Sequence, residues 1–331
     1  MKETIYIFSN GKLSRKDNTL FVEKDDGTKK FLPVEHVKEI FSFGEITFNT
    51  AALNFLSQKN IIFHYFNYYG YYAGSFYPRE HYNSGFMILR QSQTYSDDEK
   101  RLHLAKSFIE GAVANVLKIL KYYNRREKDV SMQISEIEML LETLESQRTV
   151  NESMAIEGQI KQTYYQAFKT IIDNPEFKFS ERTRRPPKDY INALISFANS
   201  IIYTAVLSEI YMTHLDPRIG FLHSTNFRRF SLNLDIAEIF KPVIGDRTIF
   251  SVLNRKIITE KDFDSSLNGI TLNNAGRRKF LEQLEERMKQ TIKHTSLKKE
   301  VSYRRLIRIE LYKLEKHLME EQEYKPFVMD W

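Results

Sequence analysis

Apolar residues fall in short runs between turn signals through roughly the first 80 positions, and from Glu99 onward they recur at helical spacing. Short runs rich in β-branched and aromatic residues predict strands at Thr4–Phe8, Thr19–Glu23, Lys30–Val34, Val37–Phe41, Ile46–Asn49, Ile61–Phe66 and Tyr71–Phe76. Turn signals such as Ser9-Asn10-Gly11 and Asp25-Asp26-Gly27 separate them. In this part only Thr50–Gln58 reads as a helix. Many short strands with few helices predict an all-β, sandwich-like domain over 1–80.

The pattern changes across Pro78–Asp98, and a linker is expected over 81–98. From Glu99 onward Leu102, Leu104, Phe108, Ile109, Ala112, Val116, Ile119 and Leu120 form one apolar helical face. Further helices are predicted at Val130–Glu145, Glu152–Ile172, Asp189–Thr213, Leu232–Phe240, Asn273–His294 and Ser302–Glu321. Prolines 186, 187, 217 and 242 fall at the joints, where they start or stop helices without breaking one. The expected fold class is α+β multidomain, a small all-β domain followed by a larger all-α one over 99–331. No internal repeat or low-complexity tract stands out.

Length and composition narrow the function classes. With 331 residues, 42% apolar and 28% charged, the chain can bury a core in each of two domains and is not of disordered composition. It has no cysteine, which excludes a disulfide framework and thiolate metal sites and fits the expected cytoplasmic location. A net charge of +6 points to a polyanionic partner only where the charge is clustered. The start carries an early acid, Glu3, and no apolar core of a secretory signal. Tyr190–Ser208 is uncharged, yet it contains Asn192, Ser196, Asn199, Ser200 and Thr204. A buried core helix explains it better than a membrane span, so no membrane association is expected.

Candidate chemistry lies in Gly220-Phe221-Leu222-His223, in Asp235-Ile236-Ala237-Glu238, and upstream at Glu157. Acidic side chains with one imidazole suit a hard divalent cation such as Mg²⁺ or Mn²⁺. At helical spacing Glu157 shares a stripe with Met154, Ile160, Tyr164 and Phe168, where a carboxylate needs a partner or a cation. Alternatively the stripe is offset by one position and Glu157 lies at its solvated edge. Asp235 and Glu238, at i and i+3, share one face of a short helix ended by Pro242. They can address one ion, but a plain solvated face opposite Leu232, Ile236, Ile239 and Phe240 has the same pattern. His223 is one of eight histidines and gains interest only from the Asp216-Pro217-Arg218-Ile219-Gly220 loop before it.

Basic clusters form a second layer: Arg182, Arg184, Arg185 and Lys188 around the Pro-Pro joint, and Arg228 and Arg229 between the histidine and the acidic pair. Lys298, Lys299, Arg304, Arg305 and Arg308 open the last helix. Such patches bind phosphate backbones, and equally they occur as solvated surface. The run Phe63-His64-Tyr65-Phe66-Asn67-Tyr68-Tyr69-Gly70-Tyr71-Tyr72 is a base-stacking platform or, the favoured reading, strand core plus an interface. No P-loop, dinucleotide fingerprint or Gly-x-Ser-x-Gly elbow is present.

Four segments together resemble the CRISPR-associated protein 1 family, the integrases that insert spacers into CRISPR arrays. They are Met154-Ala155-Ile156-Glu157-Gly158, Asn192-Ala193-Leu194-Ile195-Ser196-Phe197, the stretch Leu215 to His223, and the stretch Ser231 to Pro242. Leu32-Pro33-Val34 and Gly70-Tyr71-Tyr72-Ala73-Gly74 extend the likeness over nearly the whole chain. The resemblance implies a β-sandwich and a helical catalytic domain, with a homodimer joined largely through the sheet domains. It also implies a heterohexamer in which two such dimers flank one dimer of the small CRISPR-associated protein 2. Its ligand positions carry over onto Glu157, His223 and Glu238, with Asp235 close by and Lys241 at a basic position. Some members have Asp where Glu238 stands.

The expected activity is therefore metal-dependent transesterification, in which the 3′-hydroxyl of a short double-stranded DNA fragment attacks a phosphodiester at a CRISPR repeat. Glu157, His223 and Glu238 would hold Mg²⁺ or Mn²⁺, with Asp235 orienting or handling protons. Lys241 and the arginines Arg184, Arg185, Arg228, Arg229, Arg304 and Arg305 would meet DNA phosphates. Two rivals stand beside it: a metal-dependent DNase that uses water as nucleophile, and a non-catalytic DNA-binding scaffold.

Overall fold

The computed structural model describes residues 3–330, except 80, 81, 83, 185, 226–229, 267, 268 and 295–297. The chain divides into two compact units, Met1–Tyr82 and Asn83–Trp331.

The first unit holds β1 (Glu3–Ile7), β2 (Gly11–Lys16), β3 (Thr19–Glu23), β4 (Lys29–Leu32), β5 (Val37–Ser42), β6 (Ile46–Phe48), α1 (Thr50–Gln58), β7 (Ile62–Phe66) and β8 (Tyr72–Phe76). They form two four-stranded sheets, ordered β1-β5-β7-β8 and β4-β3-β2-β6. The pairings are mixed: β5 runs parallel to both β1 and β7, and β6 parallel to β2, while β3 and β8 pair antiparallel with their neighbours. Leu13 and Leu20 from one sheet, Ile40 and Phe63 from the other, and Phe55 of α1 share a single core. The unit is thus strand-rich without being all-β. Its helix starts where Asn49 accepts a hydrogen bond from the Ala52 amide, 3.0 Å.

The second unit contains α2 (Gly85–Ser96), α3 (Asp98–Asn124), α4 (Ser131–Leu144), α5 (Val150–Ile171), α6 (Tyr190–Ile210), α7 (Leu232–Phe240) and α8 (Arg247–Asn254). After these come β9 (Phe263–Ser266), β10 (Gly269–Leu272), α9 (Asn274–Lys289), β11 (Thr291–His294), β12 (Lys299–Ser302) and α10 (Tyr303–Leu318). It is mostly helical, but the pairs β9–β10 and β11–β12 are two-stranded antiparallel hairpins, so it is not all-α. The expected linker also differs, because most of it is α2, capped by the Ser84 hydroxyl.

α3 is the scaffold against which α2, α4, α5 and α7 pack. One buried amide shows how it binds the rest: Asn115 donates to the carbonyls of Ile239 and Phe327 and accepts from the Met329 amide. It thereby ties α7 and the C-terminal segment to α3. α5 begins with a capping box in which Thr149 and Glu152 satisfy each other's backbone amides. Its inner face of Ile160, Tyr164, Ala167, Phe168 and Ile171 is buried. α6 is the one described helix long and apolar enough to cross a membrane, and 83% of that stretch lies inside the protein.

Pro242 does not end the helix begun by α7. The coil widens into a π-helical segment, Lys241–Asp246, and continues into α8. Proline has no amide hydrogen and its ring crowds the preceding turn, and a wider turn relieves both constraints. Gly245 lets this widened turn lie close on α6, since a Cβ there would meet Ile202 at 2.8 Å.

The Phe168 ring lies 5.3 Å from Tyr164, 5.8 Å from Phe179 and 4.7 Å from Phe250, so it joins α5, the following loop and α8. Phe168→Ala is expected to cost about 3–5 kcal/mol in guanidinium unfolding, the range for deleting a fully buried ring.

Candidate functional site

His223 stands in the loop between α6 and α7, and that loop is built around one carboxylate. Asp235 is fully buried. Its Oδ2 accepts from the amides of Phe221 (2.6 Å) and Leu222 (3.1 Å). Its Oδ1 accepts from the His223 amide (2.9 Å) and the His223 ring Nδ1 (2.8 Å). A carboxylate can only accept here, so Nδ1 carries the hydrogen, and in the neutral ring Nε2 keeps its lone pair. The Gly220 amide donates to the Ser231 hydroxyl, which in turn donates to the Arg218 carbonyl. A Cβ on Gly220 would meet Asp235 Oδ2 and the Ser231 backbone at 2.7 Å, so only glycine permits this wrap.

The loop is also clamped from outside. Gln91 of α2, fully buried, donates to the carbonyls of Asp216 and Ile219 and accepts from the Asp216 amide. Arg101 of α3 donates to the Phe221 carbonyl at 3.0 Å. The stretch expected to be a linker is thus a brace for the histidine.

Glu157 and Glu238 meet on Lys161. Its ammonium contacts Glu157 Oε1 one helical turn away and lies 2.8 Å from Glu238 Oε2. Lys241 takes the other Glu238 oxygen at 2.5 Å, with its ammonium 4.5 Å from the centre of the Tyr203 ring. Burial alone would raise the Glu238 carboxyl, but Lys161 and Lys241, with His223, outweigh it and hold the group well below the usual carboxylate range. Burial opposes the charge on Lys161 too, and Glu238 and Glu157 overcome it, so that ammonium is held more firmly than an ordinary lysine.

These positions decide between the sequence alternatives. Glu157 continues the packed stripe of α5, its side chain only 14% exposed, so it is not at a solvated edge. Asp235 and Glu238 are both buried, which rules out the solvated-face reading of α7. The four groups play different parts, however. Both oxygens of Asp235 are committed to the loop, and it positions His223 instead of offering a ligand. Among the described residues no three His, Asp or Glu side chains close on one point as a metal cluster, and the Lys161 ammonium contacts both glutamates. The donor set of two hard carboxylates and one imidazole nitrogen suits Mg²⁺ or Mn²⁺ in chemistry.

The basic candidates divide in the same way. Arg184 and Arg305 are exposed. Arg304 lies 3.5 Å from both Glu209 and Glu285, and Arg308 holds Glu209 at 2.5 Å, so these two cations neutralise a buried carboxylate of α6. Arg185, Arg228 and Arg229 lie outside the described residues. In the aromatic run Phe63 and Phe66 are buried, while Tyr65, Tyr68 and Tyr69 are exposed.

Sequence reasoning missed Lys161 and Asp246. Lys161 was signalled by its i+4 spacing from Glu157. Asp246 ends the π-helical segment, buried, and accepts from the Tyr164 hydroxyl at 3.1 Å. Burial raises its carboxyl to about 7, against the opposing pull of Tyr164 and Lys241. Nothing local in the sequence marks it.

Compared with known proteins, residues 5–286 match the family model described as CRISPR associated protein Cas1. The chain is 56% identical over its whole length, and over the whole of the relative, to CRISPR-associated endonuclease Cas1 2 of Thermodesulfovibrio yellowstonii. The solved structure of a Cas1 protein from Thermotoga maritima superposes with a TM-score of 0.88 at 44% identity, over 98% of this chain and 100% of that one. A casposase bound to integration product shares the fold at a TM-score of 0.89 and 20% identity, over 99% of this chain and 93% of that one.

Two substitutions test the site's construction. Asp235→Asn turns one acceptor oxygen into a donor facing donors, and should cost about 2–3 kcal/mol in urea unfolding. For Asp246 the folded carboxyl value is raised, so its contribution to stability is complete below the ordinary value of 3.8 and is lost as pH rises through about 7. Asp246→Asn cannot titrate. Thermal melts in a chelator should show it close to the parent near pH 4 and more stable by roughly 2–4 kcal/mol at pH 8.

Proposed function

Because this chain belongs to the CRISPR associated protein Cas1 family, we propose that it inserts short double-stranded DNA fragments into a CRISPR repeat by transesterification. The observation that carries the reading is the pairing of a braced imidazole with two converging carboxylates. Asp235 fixes the His223 ring with Nε2 outermost, and Glu157 and Glu238 already share one cation. When bound, a Mg²⁺ or Mn²⁺ ion held by Glu157, His223 and Glu238 supplies Lewis acidity to a phosphodiester.

The chain's own residues account for the rest of the chemistry. Lys241, steadied over Tyr203, adds fixed positive charge beside Glu238 where a phosphate would bear its negative charge. Arg184 and Arg305, both exposed, are suited to backbone phosphates farther along the duplex. The arriving 3′-hydroxyl forms a phosphodiester as another breaks, so bond types balance and no nucleotide cofactor is needed. As the family likeness implies, the chain would work as a homodimer, two dimers flanking a dimer of CRISPR-associated protein 2.

The relative's name, endonuclease, favours a second reading with the same residues, in which water replaces the 3′-hydroxyl. A labelled fragment incubated with repeat DNA separates the two: branched joined products support integration, and shortened strands alone support hydrolysis. His223→Ala and Glu157→Ala are each expected to abolish strand transfer while leaving duplex binding near that of the parent, with a lowered melting temperature because each removes a partner of a buried charge. Full strand transfer by either variant would overturn the assignment.

A further inference from the structure

Lys161 belongs to none of the roles assigned so far, although it makes the most central contact in the site. It lies one turn beyond Glu157 on the same face of α5, so its arm is aimed at Glu157 by helix geometry. Its ammonium reaches Oε1 of Glu157 and Oε2 of Glu238 together. The other oxygen of Glu238 is taken by Lys241. The buried Glu238 and the mostly covered Glu157 are therefore matched by two lysines, and the four groups sum to zero charge.

That arrangement has a steric consequence. A hard divalent cation sits about 2.0–2.6 Å from its carboxylate oxygens. An ammonium within hydrogen-bond range of the same two oxygens occupies the space such an ion would need. Both cannot serve Glu157 Oε1 and Glu238 Oε2 at once.

We propose that Lys161 is a resident counter-ion which competes with the divalent cation for Glu157 and Glu238. It holds the two carboxylates together without metal, and it must swing aside for metal to load. The proposal rests on the reading of Glu157 and Glu238 as metal ligands. It separates two properties that an ordinary structural lysine would leave joined: Lys161 stabilises the metal-free fold and weakens metal affinity. The displaced ammonium stays tethered to α5, so its charge remains at the edge of the site, where a phosphodiester arrives.

The test measures Mn²⁺ binding directly, by the loss of the free-ion paramagnetic resonance signal, alongside thermal melts in chelator and in Mn²⁺. Lys161→Met keeps the length of the arm and removes its charge. It should melt lower than the parent in chelator, bind Mn²⁺ roughly tenfold or more tightly, and gain more melting temperature from Mn²⁺. Lys161→Arg retains the competing charge and should bind Mn²⁺ no more tightly than the parent. Adding Glu157→Gln to Lys161→Met should reverse the tightening. If the parent binds Mn²⁺ and Lys161→Met binds it equally or more weakly, the counter-ion role is overturned while the metal reading stands. If neither protein binds Mn²⁺, both are overturned.

Discussion

The hydrogen bonding of Asp235 is the constraint on which the site's geometry depends. A carboxylate buried among apolar side chains is tolerated only when its lone pairs are satisfied. Here three consecutive backbone amides and one ring nitrogen satisfy them. Charge-assisted bonds of this kind are stronger than neutral ones, and because they come from the main chain they fix the loop as well as the ring. Gln91 and Arg101 hold the same loop from the other side, so the imidazole is set by α2, α3 and α7 together. In the described part of the loop between α6 and α7, bonds within the loop such as Gly220 to Ser231 act together with these outside contacts.

Charge balance is the second organising feature. Glu157, Glu238, Lys161 and Lys241 form a compact set of two anions and two cations, placed by α5 and α7 where they approach each other. In so buried a place an unmatched charge would be costly, and removing one partner strands another. Asp246 shows the alternative solution a few residues away, where burial favours the protonated form and Tyr164 supplies the hydrogen bond.

Much of this was visible in the sequence, for reasons that can be stated residue by residue. The strands rich in β-branched and aromatic residues were legible, and α1 and α7 have the bounds their patterns predicted. β2 was not, because Gly11-Lys12-Leu13-Ser14-Arg15-Lys16 buries only Leu13, and its strand character comes from pairing with β3 and β6. Parallel pairing of β5 with β1 and β7 is likewise a non-local choice that no local pattern encodes. α2 was hidden because it buries Met87, Gln91 and Thr94, two of them polar. Pro242 was read as a stop because the rule for α-helices makes no provision for a wider coil. In the site, Glu157, His223, Asp235 and Glu238 could all be named from spacing and family likeness. Their division of labour could not, since it depends on contacts such as Gln91 with Asp216 across 125 positions.

Gly220 carries a consequence for how such a site tolerates change. It offers no functional group and would be passed over in any search by chemical type. Yet the space beside it is filled by the Asp235 carboxylate and the Ser231 backbone. The loop's freedom to vary is therefore limited by volume at a residue without a side chain, and its inheritance is governed as much by what must be missing at position 220 as by what must be present at position 223.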